Sequence, residues 1–263
     1  MSTALESIIA GVLEDVKARE ISRVQLLEEI SNAPRVISAV EALSKPKMQI
    51  IAEVKRSSPS KGALAQIDDP ADLALRYESA GAAIVSVLTE GRRFGGSSAD
   101  LIAVRRMVRI PVLRKDFIVS EYQVLETRAL GADLILLIVA ALSDSQLRDY
   151  QAIAHELGMS VLVEVHDESE LSRAIDTSAK IIGVNARNLK TLEINHAAFS
   201  TLLPLIPLDL IKVAESGIST RAQVVSAEKL GAKAILVGET LVRADDPWLA
   251  IKVLLGEKPA GSV

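Results

Sequence analysis

The sequence contains no cysteine and no apolar run long enough to span a membrane. Without cysteine there are no disulfide bonds, thiolate metal sites or cysteine nucleophiles, which is typical of a reducing compartment. The longest apolar run, 134–142, falls well short of the roughly 18 residues that a membrane span needs. Acidic residues at Glu6, Glu14 and Asp15 also argue against a signal or transit peptide. We therefore expect a cytoplasmic protein with no membrane contact.

An excess of positive charge is also absent. The 263 residues include 30 Lys and Arg against 34 Asp and Glu, a net charge of −4, which argues against a nucleic-acid partner. Aromatic residues are only 3% of the chain, so the core is predicted to be aliphatic. The 49% hydrophobic and 24% charged residues are typical of one globular domain.

From residue 48 onward, short aliphatic runs alternate eight times with segments of helical periodicity. The runs are continuously apolar, which is typical of parallel strands that are covered by helices on one face and fill an interior on the other. They span residues 49–54, 83–88, 111–115, 133–138, 160–165, 180–184, 210–214 and 234–238. Glycines that predict helix C-termini shortly precede four of these runs, at Gly81, Gly131, Gly158 and Gly231. Predicted helix N-caps are Ser120, Ser143, Asp167 and Ser219.

Eight strand and helix units most simply close into an α/β fold of the (β/α)8 TIM barrel type, over residues 48–256. A doubly wound open sheet would need an edge strand, and none of the eight runs has that character. Residues 1–47 carry a helical pattern with Ile8, Val12 and Val16 on one face, so we expect an N-terminal helical extension that packs on an end of the barrel. The polar segment 257–263 is predicted to be a frayed tail.

Charged and polar residues interrupt the predicted strands at the ends where such a barrel carries its active site. A buried charge is costly without a partner or a purpose, so several charges at one rim favour an active site over structural ion pairs. Opposite charges held close tune each other's pKa, so that a lysine can act as a general acid and a glutamate as a general base. The residues concerned are Glu53, Lys55, Lys115, Glu164, Asn185, Arg187 and Glu215.

Glycines after the last two strands predict a phosphate site. Ser216 and Gly217 follow the seventh strand, and Gly238 and Glu239 follow the eighth, where these barrels often bind phosphate through backbone N–H groups. The loop 56–62 is either a flexible connection or a lid. Phe117 either faces a flat substrate or fills the core.

Motifs for metal and nucleotide binding are missing from the sequence. The three histidines lack metal-ligand spacing, and His155 and His166 are predicted to be surface or capping residues. Neither G-x-G-x-x-G nor a P-loop pattern occurs, so no metal and no cofactor are expected.

Six segments in order resemble the indole-3-glycerol phosphate synthase family. They are IAEVKRSSPSKG at 51–62, SVLTE at 86–90, LRKDF at 113–117, LVEVH at 162–166, GVNARNL at 183–189 and AESGI at 214–218. The resemblance implies a (β/α)8 barrel whose extension packs near the catalytic mouth. It also implies conversion of 1-(2-carboxyphenylamino)-1-deoxyribulose 5-phosphate to indole-3-glycerol phosphate, carbon dioxide and water, in tryptophan biosynthesis and without cofactor or metal.

The resemblance further implies a role for each matching residue. Lys115 would be the general acid on the ribulose carbonyl, Lys55 would pair with the anthranilate carboxylate, and Glu164 would assist the dehydration. Glu53 and Asn185 would orient substrate hydroxyls and the lysines. The division of acid and base among Lys115, Lys55 and Glu164 stays open.

The resemblance also implies a set of binding residues. Those expected around the phosphate are Ser57, Ser216, Gly217, Gly238 and Glu239. Arg187 and Glu215 would contact the sugar chain or brace the site. Many relatives have a small hydroxyl residue where this chain has Glu239, so we expect that carboxylate to turn away from the ligand.

Two alternatives stay open. One is another phosphate-binding barrel of the tryptophan pathway, although such barrels lack the Glu-x-Lys and Arg-Lys-Asp-Phe motifs. The other is a catalytically silent barrel scaffold, which would have no reason to keep Lys55, Lys115 and Glu164 buried. The oligomeric state is not determined by the sequence, and a monomer is the default expectation.

Overall fold

The computed structural model describes residues 3–257, so nearly all of the predicted tail 257–263 lies outside the described residues. Eight parallel strands close into a barrel in which each pairs with the next and the last pairs with the first. These strands are β1 Gln49–Val54, β2 Ile84–Leu88, β3 Val112–Lys115, β4 Leu134–Ile138, β5 Ser160–Val165, β6 Ile181–Asn185, β7 Ile211–Glu215 and β8 Ala234–Val237. The predicted TIM barrel is confirmed, and the predicted strand bounds are correct to within one residue.

Helices surround this barrel and precede it. The three helices before β1 are α1 Ala4–Arg19, α2 Arg23–Asn32 and α3 Ala39–Leu43. The others are α4 Pro70–Ser79, α5 Ser98–Met107, α6 Glu121–Ala129, α7 Asp144–Glu156, α8 Glu168–Ile175, α9 Ala197–Leu202, α10 Arg221–Lys229, α11 Glu239–Val242 and α12 Pro247–Leu255. Short 3-10 turns span Val139–Ala141 and Leu203–Leu205. The loop after β1 contains a two-stranded hairpin of Ser57–Ser58 and Gly62–Ala63.

Helix caps largely follow the sequence signals. Ser120, Ser143 and Asp167 accept hydrogen bonds from the first turns of α6, α7 and α8, as predicted. The predicted cap Ser219 is wrong by one residue, because Thr220 caps α10 in a reciprocal pair with Gln223. The four predicted glycines follow helices with left-handed φ angles of 80° to 99°.

The continuous apolar runs are explained by two apolar layers on opposite faces of the strands. One layer lies between strands and helices and includes Ile50, Val85 and Ile135. The other fills the barrel and includes Ile51 and Leu113. Since both faces of each strand are buried, neither face requires polar residues.

The N-terminal segment runs from one end of the barrel to the other. At the C-terminal ends of the strands, Arg92 after β2 pairs with Glu14 and Asp15 of α1 at 2.8 Å and 2.7 Å. At the opposite end, the Ile37 N–H donates to Asp133 just before β4 at 2.8 Å. Leu43 of α3 is fully buried. No helix within residues 3–257 is both long and apolar enough to cross a membrane.

Candidate active site

A cavity of about 540 Å³ opens at the C-terminal ends of the barrel strands. It brings together most of the predicted site residues, which come from six different segments of the chain. Its wall includes Glu53, Lys55, Lys115, Phe117, Glu164, Asn185, Arg187, Glu215, Ser216, Gly217, Gly238 and Glu239. The convergence follows from the parallel barrel, because all strand C-termini meet at one face.

Ser57 is the one predicted site residue that does not line this cavity. Its hydroxyl donates to the Arg93 carbonyl at 2.8 Å, and its backbone N–H donates to the Phe94 carbonyl at 3.2 Å. The polar groups of Ser57 therefore join the loops after β1 and β2.

Lys115 at the end of β3 forms the centre of the site. Its Nζ atom lies 3.0 Å from Glu164 Oε2 on β5 and 3.8 Å from Glu215 Oε2 on β7. The two glutamate side chains are 1% exposed, and the lysine side chain is 14% exposed. The ammonium group is therefore held between two buried carboxyl groups and remains accessible from the cavity.

The two glutamates of this cluster differ in the direction of their pKa shifts. Burial opposes charge on Lys115, but the carboxylates of Glu164, Glu215 and Glu53 outweigh it and raise the lysine pKa. Burial alone would raise the pKa of Glu164, yet Lys115 and His166 hold it well below its usual range. For Glu215, burial and the nearby Glu164 charge raise the pKa to about 8. At neutral pH the site thus holds an ammonium group, an ionised Glu164 and a largely neutral Glu215.

A second ion pair lies at the C-terminal end of β1. Lys55 Nζ is 2.6 Å from Glu53 Oε1, and their side chains are 18% and 4% exposed. Gly238 after β8 packs against this pair so closely that an added Cβ would come within 2.3 Å of Glu53 Oε1. Glycine at position 238 therefore makes room for the glutamate that holds Lys55.

The segment after β7 has an unusual backbone. Ser216 and Gly217 have consecutive left-handed φ angles of 69° and 73°. The Gly217 Cα lies against the His196 ring, where an added Cβ would approach Cε1 to 2.6 Å. A left-handed φ is uncommon for a residue such as Ser216 and is often found where the backbone serves a site.

The loop after β1 reaches across the cavity. Lys61 Nζ lies 2.5 Å from Glu239 Oε1, and Arg187 donates to the Ser60 hydroxyl at 2.9 Å. The Glu239 side chain also lies 3.8 Å from Arg243. The expectation that Glu239 turns away from a ligand stays a prediction.

Sequence reasoning missed several residues of this region. Lys61, His196 and Arg243 line the cavity, and so does Phe94, whose ring centroid lies 6.1 Å from that of Phe117. Lys61 lies within the candidate lid loop 56–62, but nothing in the sequence singled it out from the rest of that loop. These contacts join segments that are far apart in the chain, and the hydrophobic periodicity of the sequence predicts only local secondary structure.

The prediction of His166 as a surface or capping residue is wrong. Its side chain is only 12% exposed because it folds back between Glu164 and Glu170. The apolar run of β5 ends at Val165, and nothing in that run indicated that the next residue turns back to contact Glu164. His155 is exposed on α7, as predicted.

The fold and the site together define a TIM-barrel enzyme whose lysine and glutamate side chains are arranged for acid–base chemistry. Comparison with known proteins agrees. The family model for indole-3-glycerol phosphate synthase matches residues 5–254. The chain therefore belongs to the indole-3-glycerol phosphate synthase family, whose members are carboxy-lyases of tryptophan biosynthesis.

Individual relatives support this membership. The chain is 52% identical over 261 residues to the indole-3-glycerol phosphate synthase of Parafrankia sp. (strain EAN1pec), covering 98% of this chain and 97% of the relative. It is 53% identical over 252 residues to that of Paenarthrobacter aurescens (strain TC1), covering 93% of each. A crystal structure of 3-hexulose-6-phosphate synthase is 18% identical, with a TM-score of 0.63 over 80% of this chain and 99% of that one, and shows the shared fold.

Proposed function

We propose that this chain converts 1-(2-carboxyphenylamino)-1-deoxyribulose 5-phosphate to indole-3-glycerol phosphate, carbon dioxide and water. The observation that carries the proposal is the Lys115 ammonium group, held 3.0 Å from Glu164 and 3.8 Å from Glu215 at the cavity wall. Family membership supports the same reaction. The alternatives of another tryptophan-pathway barrel and of a silent scaffold have no comparable support.

Lys115 would act as the general acid in ring closure. Its raised pKa keeps it protonated at neutral pH, so the proton is in place when the aromatic carbon attacks the ribulose carbonyl. The developing alkoxide would take this proton while Glu164 and Glu215 hold the lysine in position. Fixed charges in a cavity of restricted solvent access stabilise such a transition state more strongly than water does.

Lys55 would bind the anthranilate carboxylate until that group leaves as carbon dioxide. It sits beside Glu53, which fixes the ammonium group at 2.6 Å. The paired rings of Phe94 and Phe117 line the same cavity and would face the anthranilate ring.

Glu164 would act as the base in the final dehydration. Its depressed pKa keeps it ionised, so it is ready to take the ring proton as the hydroxyl group leaves as water, protonated by Lys115 after the lysine has regained a proton from solvent. Asn185, 7% exposed at the end of β6, would orient substrate hydroxyls. Arg187 and Glu215 would contact the sugar chain or brace the site.

The phosphate would lie at the rim formed by β7 and β8. Support comes from the left-handed backbone at Ser216 and Gly217 and from Gly238 and Glu239 at the start of α11. Ser57 would take part only if its bonds to the neighbouring loop rearrange. We further propose a monomer located in the cytoplasm, with the barrel 48–256 as catalytic domain and 1–47 as its extension.

The test is a fluorescence assay of indole-3-glycerol phosphate formation in EDTA, with the wild type, Lys115→Ala and Glu164→Gln. Lys115→Ala should lower kcat by about 100-fold or more, since a general acid typically contributes about 10² to 10⁴ in rate. The matched control is Lys212→Met. Lys212 is also a buried lysine, 4% exposed, but it donates to the Leu203 carbonyl on the helix-facing side of β7.

The control should keep kcat within about twofold of the wild type, because Lys212 lies outside the cavity. High residual activity in Lys115→Ala would move the acid role to Lys55. A folded but inactive wild type would overturn the proposed reaction and favour the silent scaffold.

A further inference from the structure

Two ionisable residues beside the site have no place in the reaction outlined above. His166 directly follows β5, and Glu170 lies in the first turn of α8. They lie behind Glu164, on the opposite side of its carboxylate from Lys115. A histidine buried between two carboxylates, one of which lines the cavity, suggests a task beyond packing.

The geometry forms a chain of alternating charges. His166 Nδ1 lies 2.9 Å from Glu170 Oε2, and the same oxygen accepts the His166 backbone N–H at 2.9 Å. His166 Nε2 lies 3.3 Å from Glu164 Oε1, while Lys115 contacts the other oxygen, Oε2, at 3.0 Å. Each oxygen of Glu164 therefore faces its own cation.

Glu170 fixes the imidazole ring. Because its carboxylate contacts both the backbone and the ring of His166, rotation of the ring would break one of two bonds. The nitrogen that faces Glu170 carries its proton in both the neutral and the cationic state, as an acceptor nitrogen there would face a carboxylate. The Nε2 atom then faces Glu164 and can donate to it when the ring is protonated.

The contact between His166 and Glu164 is an ion pair that is not yet aligned as a hydrogen bond. Within residues 3–257, His166 Nε2 has no hydrogen-bond partner and is shielded from solvent. Catalytic hydrogen bonds are often loose in the free enzyme and tighten when substrate binds. A small movement of Glu164 during turnover would complete this bond.

We propose that His166, held by Glu170, is a positioning residue for Glu164, so that its imidazolium group fixes one carboxylate oxygen while Lys115 fixes the other. This inference rests on the proposed role of Glu164 as a base. The His166 imidazolium group is a second cation beside Glu164, and it keeps that carboxylate ionised when Lys115 gives up its proton. Without it, loss of the lysine charge would leave Glu164 and Glu215 facing each other without a nearby cation.

The charges around His166 favour the imidazolium form. The groups that face the ring are Glu164 from β5 and Glu170 from α8, with Lys115 of β3 and Glu215 of β7 beyond Glu164. Burial disfavours the charged ring, but the negative charges of Glu164 and Glu170 outweigh it and raise the pKa of His166 to about 10. The ring is therefore a cation through the neutral range.

The test compares kcat and KM from pH 3 to pH 9, a range that extends below the usual pKa of a glutamate, in the wild type, His166→Ala, His166→Gln and Glu170→Gln. His166→Ala should lower kcat about tenfold and change KM less than twofold. Loss of the neighbouring cation raises the pKa of Glu164, so the acidic limb of the kcat profile should move to higher pH by about half a unit or more. His166→Gln, which keeps a donor but no charge, should recover part of kcat without restoring the limb.

The matched control is His155→Ala, which removes an exposed histidine of α7 and should leave the profile unchanged. Glu170→Gln should move the acidic limb in the same direction as His166→Ala, but less. If the limb stays in place in folded His166 variants, a purely structural role remains and the proposal is overturned.

A second measurement does not depend on activity. Nitrogen-15 spectra of the histidine rings at pH 8 should show His166 with both nitrogens protonated, assigned by comparison with His166→Gln, while His155 should be neutral. A neutral His166 would overturn this inference. An imidazolium in an inactive enzyme would instead count against the proposed reaction alone.

Discussion

Two buried carboxyl groups at opposite ends of the barrel have opposite surroundings. Asp133, fully buried just before β4, accepts the backbone N–H groups of Ile37 and Val112 at 2.8 Å and 2.9 Å and lies 3.1 Å from Arg105. Glu215, 1% exposed at the end of β7, has no hydrogen-bond partner for either oxygen within residues 3–257. Burial raises the pKa of both groups.

The difference between these two groups shows how to distinguish a structural charge from a functional one. Burial and a shifted pKa are common to both, so neither property identifies the active site. The two groups differ in their hydrogen bonds, because Asp133 accepts them from the protein backbone, whereas Glu215 faces the cavity, accepts none and has only the Lys115 ammonium group at 3.8 Å. The same criterion assigns Arg114 to structure, since it is fully buried and bonded to Asp116 and Glu126 at 3.2 Å and 2.8 Å.

The largest effect is expected for Asp133→Ala at the closed end. The substitution leaves one buried and one partly buried backbone N–H group without acceptors, which costs about 3 kcal/mol in the free energy of unfolding. The melting temperature should fall by about 6 to 12 °C. At 25 °C the folded variant should keep kcat within about twofold, measured with the indole-3-glycerol phosphate assay. If kcat falls along with the stability, Asp133 is not purely structural, and the two ends of the barrel do not differ in the way described above.

A smaller effect of opposite sign is expected for Glu215→Gln. In the wild type, the native state holds the Glu215 proton up to a pH of about 8, whereas the unfolded chain releases it near 4.5. Stability from this group is therefore lost as pH rises between these values and stays lost above them. The amide removes that loss, so the variant should melt a few °C above the wild type at pH 9, equivalent to about 1 to 2 kcal/mol.

At pH 4.5 this advantage of Glu215→Gln should have almost disappeared, since the wild-type carboxyl is then protonated in the native state and half protonated in the unfolded chain. Thermal unfolding at pH 4.5, 7 and 9 measures the trend. A difference that is constant with pH, or a less stable variant at pH 9, would show that Glu215 is satisfied in the same way as Asp133.

The smallest effect is expected for Glu239→Ser at the rim. Glu239 is 26% exposed and pairs with Lys61, so the pair contributes little stability. Removing the carboxylate frees Lys61 and takes a negative charge away from the proposed phosphate site. KM should fall about twofold to fivefold with kcat unchanged, and the inhibition constant of inorganic phosphate should fall in parallel. A rise in both constants would show that Glu239 supports binding.

The fold could be predicted because each strand carries its own signal. The run 160–165 is apolar, a glycine precedes it and Asp167 caps the helix that follows, so both ends of the unit are marked locally. The exception at Ser219 has a physical cause, since Ser219 and Thr220 have the same hydroxyl chemistry and only the backbone decides which one caps α10. Local signals locate an element better than they locate its last residue.

The candidate site could be predicted in part for a related reason. Lys115 and Glu164 each stand at the end of an apolar strand, and the barrel brings all such ends together. The pair of Lys61 and Glu239 joins residues 178 positions apart through a loop whose path no periodicity describes. The sequence also could not predict that Ser57 lies outside the cavity, because its hydroxyl donates to the Arg93 carbonyl of another loop.

The N-terminal segment also constrains the order in which this molecule folds. Its contacts cross long stretches of chain, since Arg19 pairs with Glu126 at a separation of 107 residues and Ile37 with Asp133 at 96. Apart from the pair of β1 and β8 that closes the barrel, neighbouring strands follow one another in the chain and close much shorter loops. Because long loops cost more entropy to close, we expect the barrel units to assemble first and the segment to dock late. Until then the apolar face of α1 stays exposed, and that interval is when the chain is most prone to aggregate.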